Sequence, residues 1–423
     1  MKKVAKIVIS VFMIMSLVAC SAGETAKPEN GNNTSGQATE GKVTSRDVND
    51  IDGPALKDIY ADYFMMGAAI NGTDKETAAI HHEGMANVLK KHYNSTTLSN
   101  LMKPCYLLNE KKCKKAGKAS ADETMVSLDF SSCEESLQFC KDNGIKMRGH
   151  TLVWHNQTPE WFFKKNYDEK KGYVSKKVMA KRMENYIKGV LQFCQKEFPG
   201  VVYCWDVVNE SVDDGMGDSS VDWNCRTTFD GGDNFWYATM GTDYVEKAFE
   251  YARKYADKDV KLIYNDYNVF KSSKMENIYN LVKELKEKGL IDGIGLQPTV
   301  DLYTPDELKG NGYDSFENCL KKYAELDLDI QITELSFKID EDTGERDAKS
   351  LSRQAERYEE MFELLKKMDT TSGGPCNITS VSIFGICDDY PLYDDCVQCL
   401  YVWDKDCKPK EAFYRIREVG ERK

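Results

Sequence analysis

Two apolar runs in this chain stop at a glutamate. One reads Trp205-Asp206-Val207-Val208-Asn209-Glu210 and the other Ile330-Gln331-Ile332-Thr333-Glu334. A third run ends at His150, ahead of Trp154, His155, Asn156 and Gln157, and a fourth ends Asn265-Asp266-Tyr267-Asn268. Cleavage of a glycosidic bond takes two carboxyl groups. One is protonated to release the leaving oxygen, and the other is ionised to attack or stabilise the sugar cation. The chain has 69 acidic residues, so one glutamate carries little weight. Two that each close an apolar run, one beside the amide of Asn209, carry much more.

The elements that position these groups repeat. β-rich stretches fall at 64–69, 94–97, 146–151, 201–208, 261–265, 291–297, 329–333 and 380–385. Helical stripes lie between them. Ile278, Leu281, Val282 and Leu285 stand at i, i+3, i+4, i+7, with Gly289 as a stop signal. Tyr358, Met361, Phe362 and Leu365 share one face, as do Ala248, Phe249, Ala252 and Tyr255. Strand and helix in alternation predict an α/β fold, a (β/α)8 TIM barrel with a single catalytic domain over 51–423. An open doubly wound sheet is the competitor, and no Gly-rich phosphate loop follows the first strand to support it. In such a barrel the chemistry sits at the C-terminal ends of the strands. The stretch 103–122 is basic and reads as a long irregular loop.

Composition bounds the rest. The chain is 41% hydrophobic and 30% charged with a net charge of −12, which disfavours nucleic acid as a partner. Lys2, Lys3 and Lys6 precede an apolar run at 7–18, the pattern of a signal peptide over 1–19. Leu17-Val18-Ala19-Cys20-Ser21 resembles a bacterial lipobox. It implies lipidation of Cys20 and an extracellular protein held to the cell membrane by its anchor alone. Residues 20–50 are polar and read as a flexible linker. Thirteen cysteines remain after Cys20. Cys140, Cys194 and Cys204 lie in helical or strand patterns and read as small core residues. Cys396-Val397-Gln398-Cys399 is a lone pair with no second pair at zinc spacing.

At this point the sequence resembles glycoside hydrolase family 10, the endo-β-1,4-xylanases. The likeness rests on Gly149-His150-Thr151-Leu152-Val153-Trp154-His155, on the runs ending at Glu210 and at Glu334-Leu335, on Asn265-Asp266-Tyr267-Asn268 and on Asp292-Gly293-Ile294-Gly295-Leu296-Gln297. It spans about 56–416. The resemblance implies that Glu210 is the general acid and then base, and that Glu334 is the nucleophile of a retaining double displacement. It implies that Asn209 binds the sugar 2-OH and that Asn100, Lys103, His150, Trp154, Gln297 and Phe384 line the sugar site. It implies xylan or a related β-linked polysaccharide as substrate, a monomer, and neither metal nor cofactor. Glu210 is expected to have a raised pKa through repulsion from an ionised Glu334.

The sequence also departs from that family. Ser99 replaces a glutamate, Thr299 a histidine, Ser336 an aspartate, Phe384 a tryptophan and Leu392 a second tryptophan. Thr299 and Ser336 read as a joint reworking of the nucleophile's supports, since losing one alone strands a buried polar partner. Two other readings follow. One keeps the mechanism on a different β-glycan. The other makes the chain a surface glycan-binding lipoprotein without catalysis.

Overall fold

The computed structural model describes residues 53–70, 78–120, 122–298, 300, 302, 308, 314–337, 348–388 and 401–422. The signal, lipidation and linker expectations lie outside these residues, as do Cys396 and Cys399.

Eight strands close the parallel barrel: β1 Met65–Ile70, β2 Ser95–Leu98, β3 Lys146–Gly149, β4 Val202–Asn209, β5 Lys261–Tyr267, β6 Gly293–Gln297, β7 Asp329–Leu335 and β8 Asn377–Ile383, and a two-residue strand, Val153–Trp154, adds to the end of β4. Each pairs with its sequence neighbours, and β1 pairs with β8 (Met65 with Ser380 through Ala68 with Ile383) to close the ring. All eight sequence stretches are strands. Their ends shift: the third stops at Gly149, the sixth starts at Gly293, and the fifth and seventh run on to Tyr267 and Leu335.

A parallel barrel buries both faces of every strand, so alternation is weak and polar residues appear inside. Arg148, Asp206, Asn265, Gln331 and Ser380 are all buried. Each has a polar partner: Gln331 and Ser380 accept from Tyr203, and Asn265 bonds Asn209 and Thr333. Arg148 bonds Asp206, and Tyr203 Oη donates to Ser380 Oγ at 3.2 Å. Gly295 makes room for this filling. A Cβ there would lie 2.4 Å from Asn265 Oδ1 and 2.7 Å from Arg148 Nη2.

The helices cover the outside as their stripes predict. Helix Ser272–Glu287 buries Met275, Ile278, Leu281, Val282 and Leu285. Its chain reverses at Gly289, whose φ of +68° suits glycine. Helix Ala348–Met368 buries Tyr358, Met361, Phe362 and Leu365, and helix Asp243–Tyr255 buries Ala248, Phe249 and Ala252. Cys140, Cys194 and Cys204 are buried core thiols.

One expectation is corrected. Residues 104–120 are not an irregular loop but form two helices, Pro104–Leu107 and Glu110–Ser120. Proline suits the first helical position. Asn109 Oδ1 accepts from Lys112 N at 3.0 Å, and Glu110 pairs with Lys114 one turn on. A lysine-rich composition hides good helix formers.

Candidate active site

The polar residues singled out in the sequence gather at the C-terminal rim. Asn209 is the last residue of β4, and Glu210 turns out of the strand with φ +55°. Its amide is held by Asn265 O on β5 at 2.9 Å. A non-glycine residue in this left-handed region is strained, and it persists because neighbours fix it. Glu334 is still within β7, three strands away around the ring.

A hydrogen-bond chain joins the strand ends. Thr333 Oγ1 donates to Asn265 Oδ1 at 2.8 Å, and Asn265 Nδ2 donates to Asn209 Oδ1 at 2.9 Å. Gln297 Nε2 lies between Asn209 Oδ1 (3.3 Å) and Glu334 Oε1 (2.9 Å). Asn209 spends its oxygen on these two amides, and its buried Nδ2 has no hydrogen-bond partner among the described residues.

Glu210 is held from the other side. Trp154 Nε1 donates to Glu210 Oε2 at 2.8 Å. Lys103 Nζ stands 4.5 Å from the Trp154 ring centroid and donates to Asn100 Oδ1 at 3.0 Å. His150 Nδ1 meets Asp206 Oδ2 at 2.9 Å, with Arg148 on the other carboxylate oxygen. Asn100, Lys103, His150, Asn209 and Gln297 are buried, while Trp154, Glu210, Glu334 and Phe384 are partly open. Phe384 sits just past β8, its amide donating to Leu335 O at 2.9 Å.

Burial raises the Glu210 pKa, and Asp266 adds to the rise. Lys274 and the Trp154 hydrogen bond oppose it. Burial and then the Glu210 charge push Glu334 up to about 8, against the pull of Lys103 and Arg148. Lys103 is itself pushed down to about 8 by burial, with both glutamates holding it up. Glu210 is raised as expected, but its strongest charged cause is Asp266 rather than Glu334. Glu334 is raised as well instead of standing ionised alone. Glu334 and Lys103 each hold the other toward its charged form, against burial.

This arrangement fits two-carboxylate sugar chemistry, and comparison decides the family. The model of glycosyl hydrolase family 10 matches residues 55–419. The chain belongs to this family. It is a glycoside hydrolase on a (β/α)8 barrel. A Caldicellulosiruptor saccharolyticus protein named "Putative endo-1,4-beta-xylanase" is 56% identical over 320 residues, covering 75% of this chain and 97% of that protein. Endo-1,4-beta-xylanase A of Thermotoga maritima is 38% identical over 86% of this chain and 30% of its own length. Among solved structures, the CBM22-1–GH10 modules of Clostridium thermocellum Xyn10B, complexed with xylohexaose, superpose with a TM-score of 0.74 at 30% identity. That match covers 86% of this chain and 67% of the other.

Several of the departures from the family can be located. Ser99 is buried, with its Oγ 3.5 Å from Ile70 O. Ser336 follows Glu334 by two residues and is partly exposed. Thr299 and Leu392 lie outside the described residues. Trp403 packs in the core against His92 and Phe413.

Sequence reasoning did not single out the charged group behind Glu210. Lys274 Nζ is 3.0 Å from Asp266 Oδ1 and 3.1 Å from Asp214 Oδ1, and sits 3.4 Å from the Tyr267 ring centroid. Arg226 Nε donates to Glu210 O at 3.0 Å, and its Nη2 donates to Tyr267 Oη at 3.0 Å. A lysine in the first turn of an amphipathic helix reads as solvent-facing. Only the fold turns Lys274 inward, to 1% exposure.

Proposed function

We propose that this protein is an endo-β-1,4-xylanase that hydrolyses internal xylosidic bonds by a retaining double displacement. The observation that carries the reading is the convergence of Glu210 and Glu334 through Trp154, Gln297 and Asn209. Glu210 is the proton donor: burial and Asp266 raise its pKa, and it gives its proton to the leaving oxygen. Glu334 attacks the anomeric carbon, steered by Gln297 and facing the Lys103 ammonium. Esterification removes the Glu334 charge from beside Glu210. The Glu210 pKa then falls, and its carboxylate takes a proton from the water that completes hydrolysis. The unpartnered Nδ2 of Asn209 donates to the sugar 2-OH, a bond that strengthens as the ring gains positive charge.

The relatives named as xylanases support xylan over other β-glycans. Both glutamates and Asn209 are retained, and a pure glycan binder has no use for them. The run at 17–21 supports an enzyme anchored outside the cell through Cys20. Replacing Cys20 by Ala should release the protein into the medium, and full retention at the membrane would refute the anchor.

Reducing-end release from plain xylan, arabinoxylan and cellulose tests the activity. Wild type should cut the xylans, and Glu334→Ala should fall by several orders of magnitude. Early NMR spectra of the product should show the β-anomer. An initial α-anomer means inversion and rejects the double displacement. No release from any of the three substrates rejects the enzyme reading.

A further inference from the structure

Beyond the site, one pair of side chains stands in unusual relation. Cys387 and Cys407 are 20 residues apart, and their sulfurs approach to 3.1 Å. Cys387 lies shortly after β8 and is 2% exposed, while Cys407 is partly open. The backbone between them is already drawn together. Cys387 forms a bridge with Trp403, and Trp403 forms another with Pro409. Asp388 N donates to Trp403 O at 3.0 Å, and Cys407 N to Asp404 O at 3.0 Å. Lys410 Nζ reaches both Asp388 Oδ2 (2.8 Å) and Tyr401 O (2.7 Å). Gly84, at the start of helix Glu83–His92, leaves the space that the Cys407 sulfur fills; a Cβ there would lie 2.8 Å from it.

We infer that Cys387 and Cys407 form a disulfide that fastens the segment 401–407 to the end of β8. Two sulfurs in contact need close by only about 1 Å to reach bonding distance, and the flanking backbone is held by its own hydrogen bonds. The co-reactant is an external disulfide RSSR. The more accessible Cys407, as thiolate, attacks one sulfur of RSSR, and the first RS⁻ leaves with the Cys407 proton. Cys387, deprotonated in turn, attacks the Cys407 sulfur of the mixed disulfide. The second RS⁻ leaves with that proton, so two thiols are oxidised and RSSR becomes two RSH. The other described cysteine sulfurs with hydrogen-bond partners meet oxygen or backbone nitrogen, as Cys319 does with Val269 O and Cys376 with Leu320 O.

The bond has a structural consequence at the rim. The Tyr401 ring lies where a side chain at Gly385 would go, 2.3 Å from a Cβ built there. Gly385 adjoins Phe384, the aromatic residue expected to line the sugar site. Locking 401–407 therefore fixes the wall next to Phe384 without touching either glutamate.

The test uses the purified full chain, incubated with oxidised glutathione, alkylated and cut with trypsin plus an Asp-specific protease. This digest separates Cys387 from Cys396 and Cys399. The expected product is a Cys387–Cys407 linked peptide, confirmed by fragment-ion sequencing and lost on reduction. The oxidised protein should melt about 3–6 °C above Cys407→Ser treated identically, from closure of the intervening loop. Cys387→Ser should match Cys407→Ser. Alkylation of both thiols after oxidation, or linkage of either one to a different cysteine, overturns the inference. So does equal melting of wild type and both serine variants.

Discussion

Trp154 shows how one side chain sets the chemistry of another. Its indole N–H donates to Glu210 Oε2 at 2.8 Å, and this bond favours the ionised carboxylate, opposing burial and Asp266. Replacing the indole with a ring that cannot donate removes that opposition. In Trp154→Phe the Glu210 pKa should rise, so the proton needed for leaving-group departure is retained to higher pH. The basic limb of kcat/KM against pH should move upward, while kcat falls through loss of positioning. A limb that stays in place or moves down would show that the indole does not control the acid. Glu210 and Glu334 stand out in the sequence because each ends an apolar run, while the separate role expected of each comes from the family resemblance. The charge that most raises Glu210 is not, because Asp266 and Lys274 come from different elements and meet only in the fold.

At the scale of elements, the barrel is legible because strand and helix differ in period and the parallel strands are short apolar runs. Strand ends are less clear: β7 continues through Glu334 to Leu335, since a polar residue at the barrel mouth does not end pairing. The helix Glu110–Ser120 is obscured by its lysines, whose charge suggests a loop although their helix propensity is good. The interior of the sheet gives a sharper test. Gly295 on β6 faces Asn265 and Arg148, both fixed by other bonds, so an added methyl cannot be absorbed by a flexible tip. Gly295→Ala should cost about 1–3 kcal/mol of stability. It should also lower kcat by displacing Asn265, the partner of Asn209. Gly172→Ala is the control, because nothing lies within 4 Å of a Cβ there. Urea midpoints for the two variants provide the comparison. Equal midpoints would mean the barrel interior is looser than its contacts indicate.

For the whole molecule, the closure that matters is between the two ends of the barrel chain. Tyr60 Oη donates to Ile416 O at 2.6 Å. His92, ending helix Glu83–His92, packs against Trp403 at 4.9 Å and Phe413 at 5.1 Å. Its Nδ1 lies 3.5 Å from Leu56 N, in position to accept. Three parts of the chain thus meet on one buried imidazole. Burial, with Lys91, Lys57 and Arg417 nearby, pushes the His92 pKa down to about 3, against an ordinary value of 6.5. The unfolded chain therefore binds a proton at this residue between those two values, and the folded chain does not. Stability rises with pH across that window and is lost as pH falls through it. Between pH 7 and pH 5 the loss from His92 should be about 2 kcal/mol. In His92→Phe, which keeps an aromatic ring of similar size, that part of the acid lability should vanish even if stability at pH 7 changes. Urea unfolding of both proteins at the two pH values measures it. The same pH dependence in wild type and variant would remove His92 as the acid-sensitive joint. The loss would then have to be sought in His150 and His155, whose pKa values burial also depresses.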